Sequence, residues 1–65
     1  MPIIRVELLP GRSLEQKVQY AAEVTRLTVE LLQCPAPSVD VIFTEVAPTD
    51  WAKEGRMLSM PHDKP

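Results

Sequence analysis

The residue with the most chemical potential stands at the start of the chain, which opens Met1-Pro2-Ile3-Ile4-Arg5. A methionine ahead of a small residue is ordinarily trimmed after synthesis, and its removal turns Pro2 into a free secondary amine. Such an amine serves as a general base when burial and neighbouring cations disfavour its protonated form. The ordinary alternative is a proline that opens an edge strand, where a missing N–H is tolerated. The residues alone leave both readings open. Arg12 precedes Ser13 at the start of a helical pattern. A cation gains nothing from the dipole at that helix end, which favours a binding role over that of a plain loop cation. Trp51, the single tryptophan, suits an interface plug equally well. Cys34 and His62 are the only cysteine and histidine, so they cannot furnish a four-ligand zinc site. No Ser/His/Asp or Cys/His nucleophile arrangement and no glycine-rich phosphate loop can be drawn. Cys34, beside two prolines, reads as half-buried filler, and His62 falls in a tail.

The elements that must position these groups are few. Ile3 to Leu9 alternates, with Ile4, Val6 and Leu8 on one face and Arg5 and Glu7 on the other, which predicts a strand closed by Pro10-Gly11. Ser13-Leu14-Glu15-Gln16 fits a capping box, and the helix it opens is expected to run to about Leu32, since Pro35 and Pro37 cannot continue it. Steps of about 100° per residue gather Glu15, Gln16, Gln19, Glu23, Arg26, Glu30 and Gln33 on a solvated arc. Leu14, Val18, Ala21, Ala22, Thr25, Val29 and Leu32 form one apolar stripe, and Tyr20, Val24, Leu27 and Leu31 an adjacent one. Together they are wider than an ordinary surface helix needs, which predicts burial against more than one surface. Val39 to Val46 is the second strand, with Val39, Val41 and Phe43 on one face and Asp40, Ile42 and Thr44 on the other. A strand, a long helix and a strand make a right-handed unit with parallel strands. Beyond it, Pro48-Thr49-Asp50 is a turn, Gly55 permits a tight bend, and Arg56 to Met60 reads as a short strand or arm.

A single domain over residues 1–65 is expected, and it is too small to stand easily by itself. With one cysteine there is no intrachain disulfide, and self-association is the remaining staple. The net charge of −2 carries no basic cluster, which argues against a nucleic-acid partner. The apolar runs are too short to span a bilayer, no secretory signal is visible, and an unpaired thiol fits a reducing compartment. A cytoplasmic location follows as the expectation.

Pro2-Ile3, Leu9-Pro10-Gly11-Arg12-Ser13, Glu15-Gln16-Lys17 and Ser38-Val39-Asp40-Val41-Ile42-Phe43-Thr44-Glu45 resemble the 4-oxalocrotonate tautomerase family, over nearly the whole chain to about Gly55. The resemblance implies an α+β fold: a β-α-β unit with parallel strands and a short C-terminal hairpin, its sheet completed by oligomerisation, usually to a hexamer. It implies keto–enol proton transfer by Pro2 on a small carboxylate substrate, with no metal or organic cofactor. By the same resemblance Arg12 grips a substrate carboxylate and helps keep the amine neutral, and Trp51 is the aromatic wall of the site. Asp40 stands where relatives that act on dicarboxylate dienols carry a second arginine. That exchange reverses a charge in the implied site. It puts turnover of a dicarboxylate in question and opens the alternative of water addition to an unsaturated or halogenated acid through Pro2 and Asp40. A non-catalytic assembly module of the same fold is a third reading.

Overall fold

A computed structural model describes residues 1–60, so His62 and the expected tail lie outside the described residues. Strand β1 (Ile3–Leu8) leads through the Pro10-Gly11 turn to helix α1 (Leu14–Leu32), then to strand β2 (Asp40–Glu45). The hairpin strands β3 (Ala52–Lys53) and β4 (Arg56–Met57) follow, and single 3-10 turns over Ala36–Ser38 and Pro48–Asp50 flank β2.

The helix begins where its sequence satisfies its own first turn. The Gln16 backbone N–H donates to Ser13 Oγ at 3.1 Å, and the Ser13 N–H donates to Gln16 Oε1 at 2.9 Å, so two otherwise orphaned donors are met. Gly11 ahead of it holds φ +122°, a conformation that L side chains rarely adopt. At the other end Gln33 adopts a left-handed conformation and its N–H donates to Val29 O at 3.0 Å. Pro35 then diverts the chain.

β1 and β2 pair in parallel, with Ile3 opposite Asp40 and Leu8 opposite Glu45. β1 stops one residue short of the expected Leu9, and β2 is one residue shorter than the expected Val39 to Val46 at each end. The Val39 N–H is taken by Ala36 O in the preceding 3-10 turn, which starts β2 at Asp40. The alternation is as expected: Ile4, Val6, Leu8, Val41 and Phe43 are half-buried under the helix, and their neighbours lie on the open face. The hairpin turns at Glu54-Gly55, both with positive φ, the requirement of a tight two-residue hairpin loop. Leu58 N–H donates to Trp51 O and Ser59 N–H to Pro48 O, which ties the arm back on the Pro48–Asp50 turn.

No core closes within this chain. Among the described residues none is buried, and the radius of gyration is 16.1 Å against about 11 Å for a compact chain of this length. The helix meets the sheet along a narrow line of Lys17, Ala21, Val24, Thr25, Thr28 and Val29. The line takes up Ala21, Thr25 and Val29 of one expected stripe and Val24 of the other, and the remaining large apolar residues beside it are left uncovered: Leu14 is 77% exposed, Val18 59%, Leu31 67% and Leu32 65%. A 19-residue helix also outreaches six-residue strands, about 28 Å against about 20 Å, so its end leucines have no sheet beneath them. Among the described residues no helix is long and apolar enough to cross a membrane.

Candidate active site

Parallel pairing sorts the candidate residues to opposite ends of the sheet. Pro2 and Asp40 share the end where both strands begin. The Asp40 N–H donates to the Pro2 carbonyl at 3.0 Å, and Ile3 and Asp40 are directly paired. Pro2 is half-buried and Asp40 exposed. The Asp40 carboxylate takes part in no ion pair or side-chain hydrogen bond among the described residues. By strand alternation it shares the open face with Ile3, Arg5, Ile42 and Thr44.

Arg12 belongs to the other end, beyond Leu8 and ahead of the helix. A six-residue strand separates it from Pro2 by about 20 Å. It lines a shallow cavity of about 160 Å³ with Val6, Leu8, Gln16, Lys17, Tyr20 and Phe43. The floor is apolar, Tyr20 and Phe43 meeting edge to face with ring centroids 6.1 Å apart. Of the two cations on the rim, Lys17 is engaged: its Nζ donates to Glu45 Oε2 at 2.7 Å. Arg12 makes no ion pair among the described residues. An unpaired guanidinium over an apolar floor is suited to an acid with an apolar body, because Arg offers a carboxylate two parallel N–H donors.

Trp51 follows the Pro48–Asp50 turn past the far end of β2; it is half-buried, and its carbonyl accepts from the Leu58 N–H of the arm. Cys34 is half-buried at the helix exit, with only a long contact to Thr28 O at 3.9 Å. Among the described residues no group of His, Cys, Asp and Glu is placed to hold a metal ion.

Lys17 and Glu45 are the pair that sequence reasoning passed over. Lys17 falls at the edge of the apolar stripe rather than on the solvated arc. A lysine on a buried-facing line signals a partner carboxylate across the interface, because a half-desolvated ammonium needs one. The strand-ending Glu45 is that partner.

The same arrangement of elements recurs in known proteins. A family model described as tautomerase enzyme matches residues 2–60. The chain belongs to the tautomerase family. A probable tautomerase of Streptococcus pneumoniae serotype 4 is 37% identical over 57 residues, covering 88% of this chain and 95% of that protein. A probable tautomerase of Ralstonia nicotianae is 35% identical over 65 residues, covering all of this chain and 93% of its own length. Among solved structures, TomN, a 4-oxalocrotonate tautomerase homologue in the tomaymycin biosynthetic pathway, superposes with a TM-score of 0.83 at 37% identity, covering 88% of each chain. A heterohexamer 4-oxalocrotonate tautomerase from Chloroflexus aurantiacus gives 0.83 at 33% identity, covering 89% of this chain and 94% of that one. These relatives support an isomerase-type enzyme with the β-α-β fold and C-terminal hairpin that the resemblance implied.

Proposed function

We propose that this tautomerase-family chain is a cofactor-independent keto–enol tautomerase of a small carbonyl acid, with Pro2 as the general base once Met1 is removed. The observation that carries the reading is a half-buried Pro2 at the mouth of β1 in a chain whose family match begins at that residue. While Met1 is attached, the Pro2 nitrogen is an amide without basicity. Once freed, it can take the proton from the enol oxygen and deliver it to the carbon at the far end of the enol double bond, or run the reverse, so no external acid is consumed. Trp51 lies past the opposite end of the sheet from its own Pro2, so it is proposed as an apolar wall supplied by another copy, where it lowers the local dielectric and disfavours the protonated amine.

The two ends of the sheet are too far apart to act on one small molecule within a single chain. We therefore assign the carboxylate-binding role to an Arg12 supplied by a second copy. An isologous two-fold pairing of β1 edges runs the strands antiparallel and brings one copy's Arg12 end toward the other copy's Pro2 end. The exposed stripes beside the helix-sheet line give further copies a surface, and a hexamer in the cytoplasm is the proposed working form. The test is a screen of the Met1-free protein for ketonisation of simple enol-pyruvate-type acids, beside protein whose N-terminus is acetylated. Activity that survives acetylation removes Pro2 from the base role. A folded, active monomer by sedimentation at micromolar concentration removes the shared site.

A further inference from the structure

We propose that Asp40 is a charge filter at the Pro2 end of the site, which makes the enzyme select monocarboxylates with an uncharged far end over dicarboxylates. The inference rests on the reading of Pro2 as the base, and it adds the substrate class that this base accepts. The geometry begins with the hydrogen bond from the Asp40 N–H to the Pro2 carbonyl, 3.0 Å long. One residue's covalent span on either side of that bond keeps the Asp40 carboxylate within about 10 Å of the Pro2 nitrogen. Among the described residues no side chain is in ion-pair contact with it. Arg5, one pleat further along β1, makes no ion pair with it, and the three ion pairs of the described residues lie elsewhere.

The opposite charge in the pair of ends lies at Arg12, unpaired over the apolar floor of Val6, Leu8, Tyr20 and Phe43. A substrate that reaches from such an arginine to Pro2 finds one anion-binding group and then an anion. A carboxylate at the first end is attracted. A second carboxylate at the reacting end is repelled, and two like charges several ångströms apart at a partly solvated site differ from the neutral case by on the order of fivefold to tenfold in binding. The favoured ligand is an enol or keto monocarboxylate whose other end is an uncharged alkyl or aryl group.

The experiment measures kcat/KM of the Met1-free protein for an enol monocarboxylate and for a dienol dicarboxylate of similar length, in the wild type, Asp40→Asn and Asp40→Arg. In parallel, binding of the non-reactive pairs butyrate and succinate, and of phenylacetate and phthalate, is followed by NMR titration. Asp40→Asn is expected to raise the diacid-to-monoacid ratio of kcat/KM about fivefold to tenfold, and Asp40→Arg to raise it further. Added salt is expected to narrow the wild-type difference. A mono-to-diacid ratio that is the same in all three proteins, in turnover or in binding, overturns the filter. Loss of every activity in Asp40→Asn also overturns it, making the carboxylate a base toward water instead. Failure of the Pro2 reading shows separately, as activity that survives acetylation while the ratio still responds to residue 40.

Discussion

The two ends of the small sheet differ in how fully their own chain satisfies them. At the end where β1 and β2 finish, Lys17 and Glu45 are joined at 2.7 Å, Tyr20 rests against Phe43, and the capping box closes the helix start. At the end where the strands begin, Pro2 is held through its carbonyl alone and the Asp40 side chain has no partner among the described residues. The first end is a structural anchor that also presents one spare cation, Arg12. The second end is bare, with a nitrogen that trimming converts into a base. A chemical site needs both, and the length of the strand keeps them apart within one copy.

Mixing tests this contrast with the largest expected effect. Pro2→Ala subunits, nearly inactive alone, and Arg12→Ala subunits, impaired at low substrate, should regain about a quarter of wild-type kcat/KM when unfolded together and reassembled in equal amounts, since random pairing restores that share of two-copy sites. No recovery, in particles shown by mass to be mixed, places Pro2 and Arg12 in separate functions. Next in size is Arg12→Ala by itself. If the guanidinium holds the substrate carboxylate, KM for an acid should rise roughly tenfold or more, with a smaller fall in kcat. Because a cation near Pro2 disfavours its protonated form, the acidic limb of the pH–rate profile should also move to higher pH. Unchanged kinetics on an acidic substrate return Arg12 to the part of a loop cation.

Smaller effects probe the anchored end. Ser13→Ala removes the hydroxyl that accepts from Gln16 N–H and should lower stability by about 1 kcal/mol in thermal or denaturant unfolding. A double-mutant cycle of Lys17→Met and Glu45→Gln should give a coupling of about 1 kcal/mol or less, because the side chains stay 23% and 41% exposed. A larger coupling would mean that assembly buries the pair more deeply than a single copy does.

The sequence by itself determined what local chemistry decides. Ser13 and Gln16 are three residues apart and cap the helix through their own hydrogen bonds, and Pro35 ends it, so both boundaries were readable. The inward faces of both strands follow from a two-residue alternation, and Gly55 marked the hairpin bend through its positive φ. The tertiary structure decided what depends on distant residues. The apolar arc of the helix was visible, but packing selected the narrow line of Ala21, Val24, Thr25, Thr28 and Val29 and left the flanks exposed. Lys17 found Glu45 across 28 residues of chain. Above all, the pairing of Ile3 with Asp40 put Asp40 beside Pro2 and set Arg12 a strand's length away. Each residue's chemistry lies in its side chain; its distance from another is fixed by register, a collective property of every pair along the two strands.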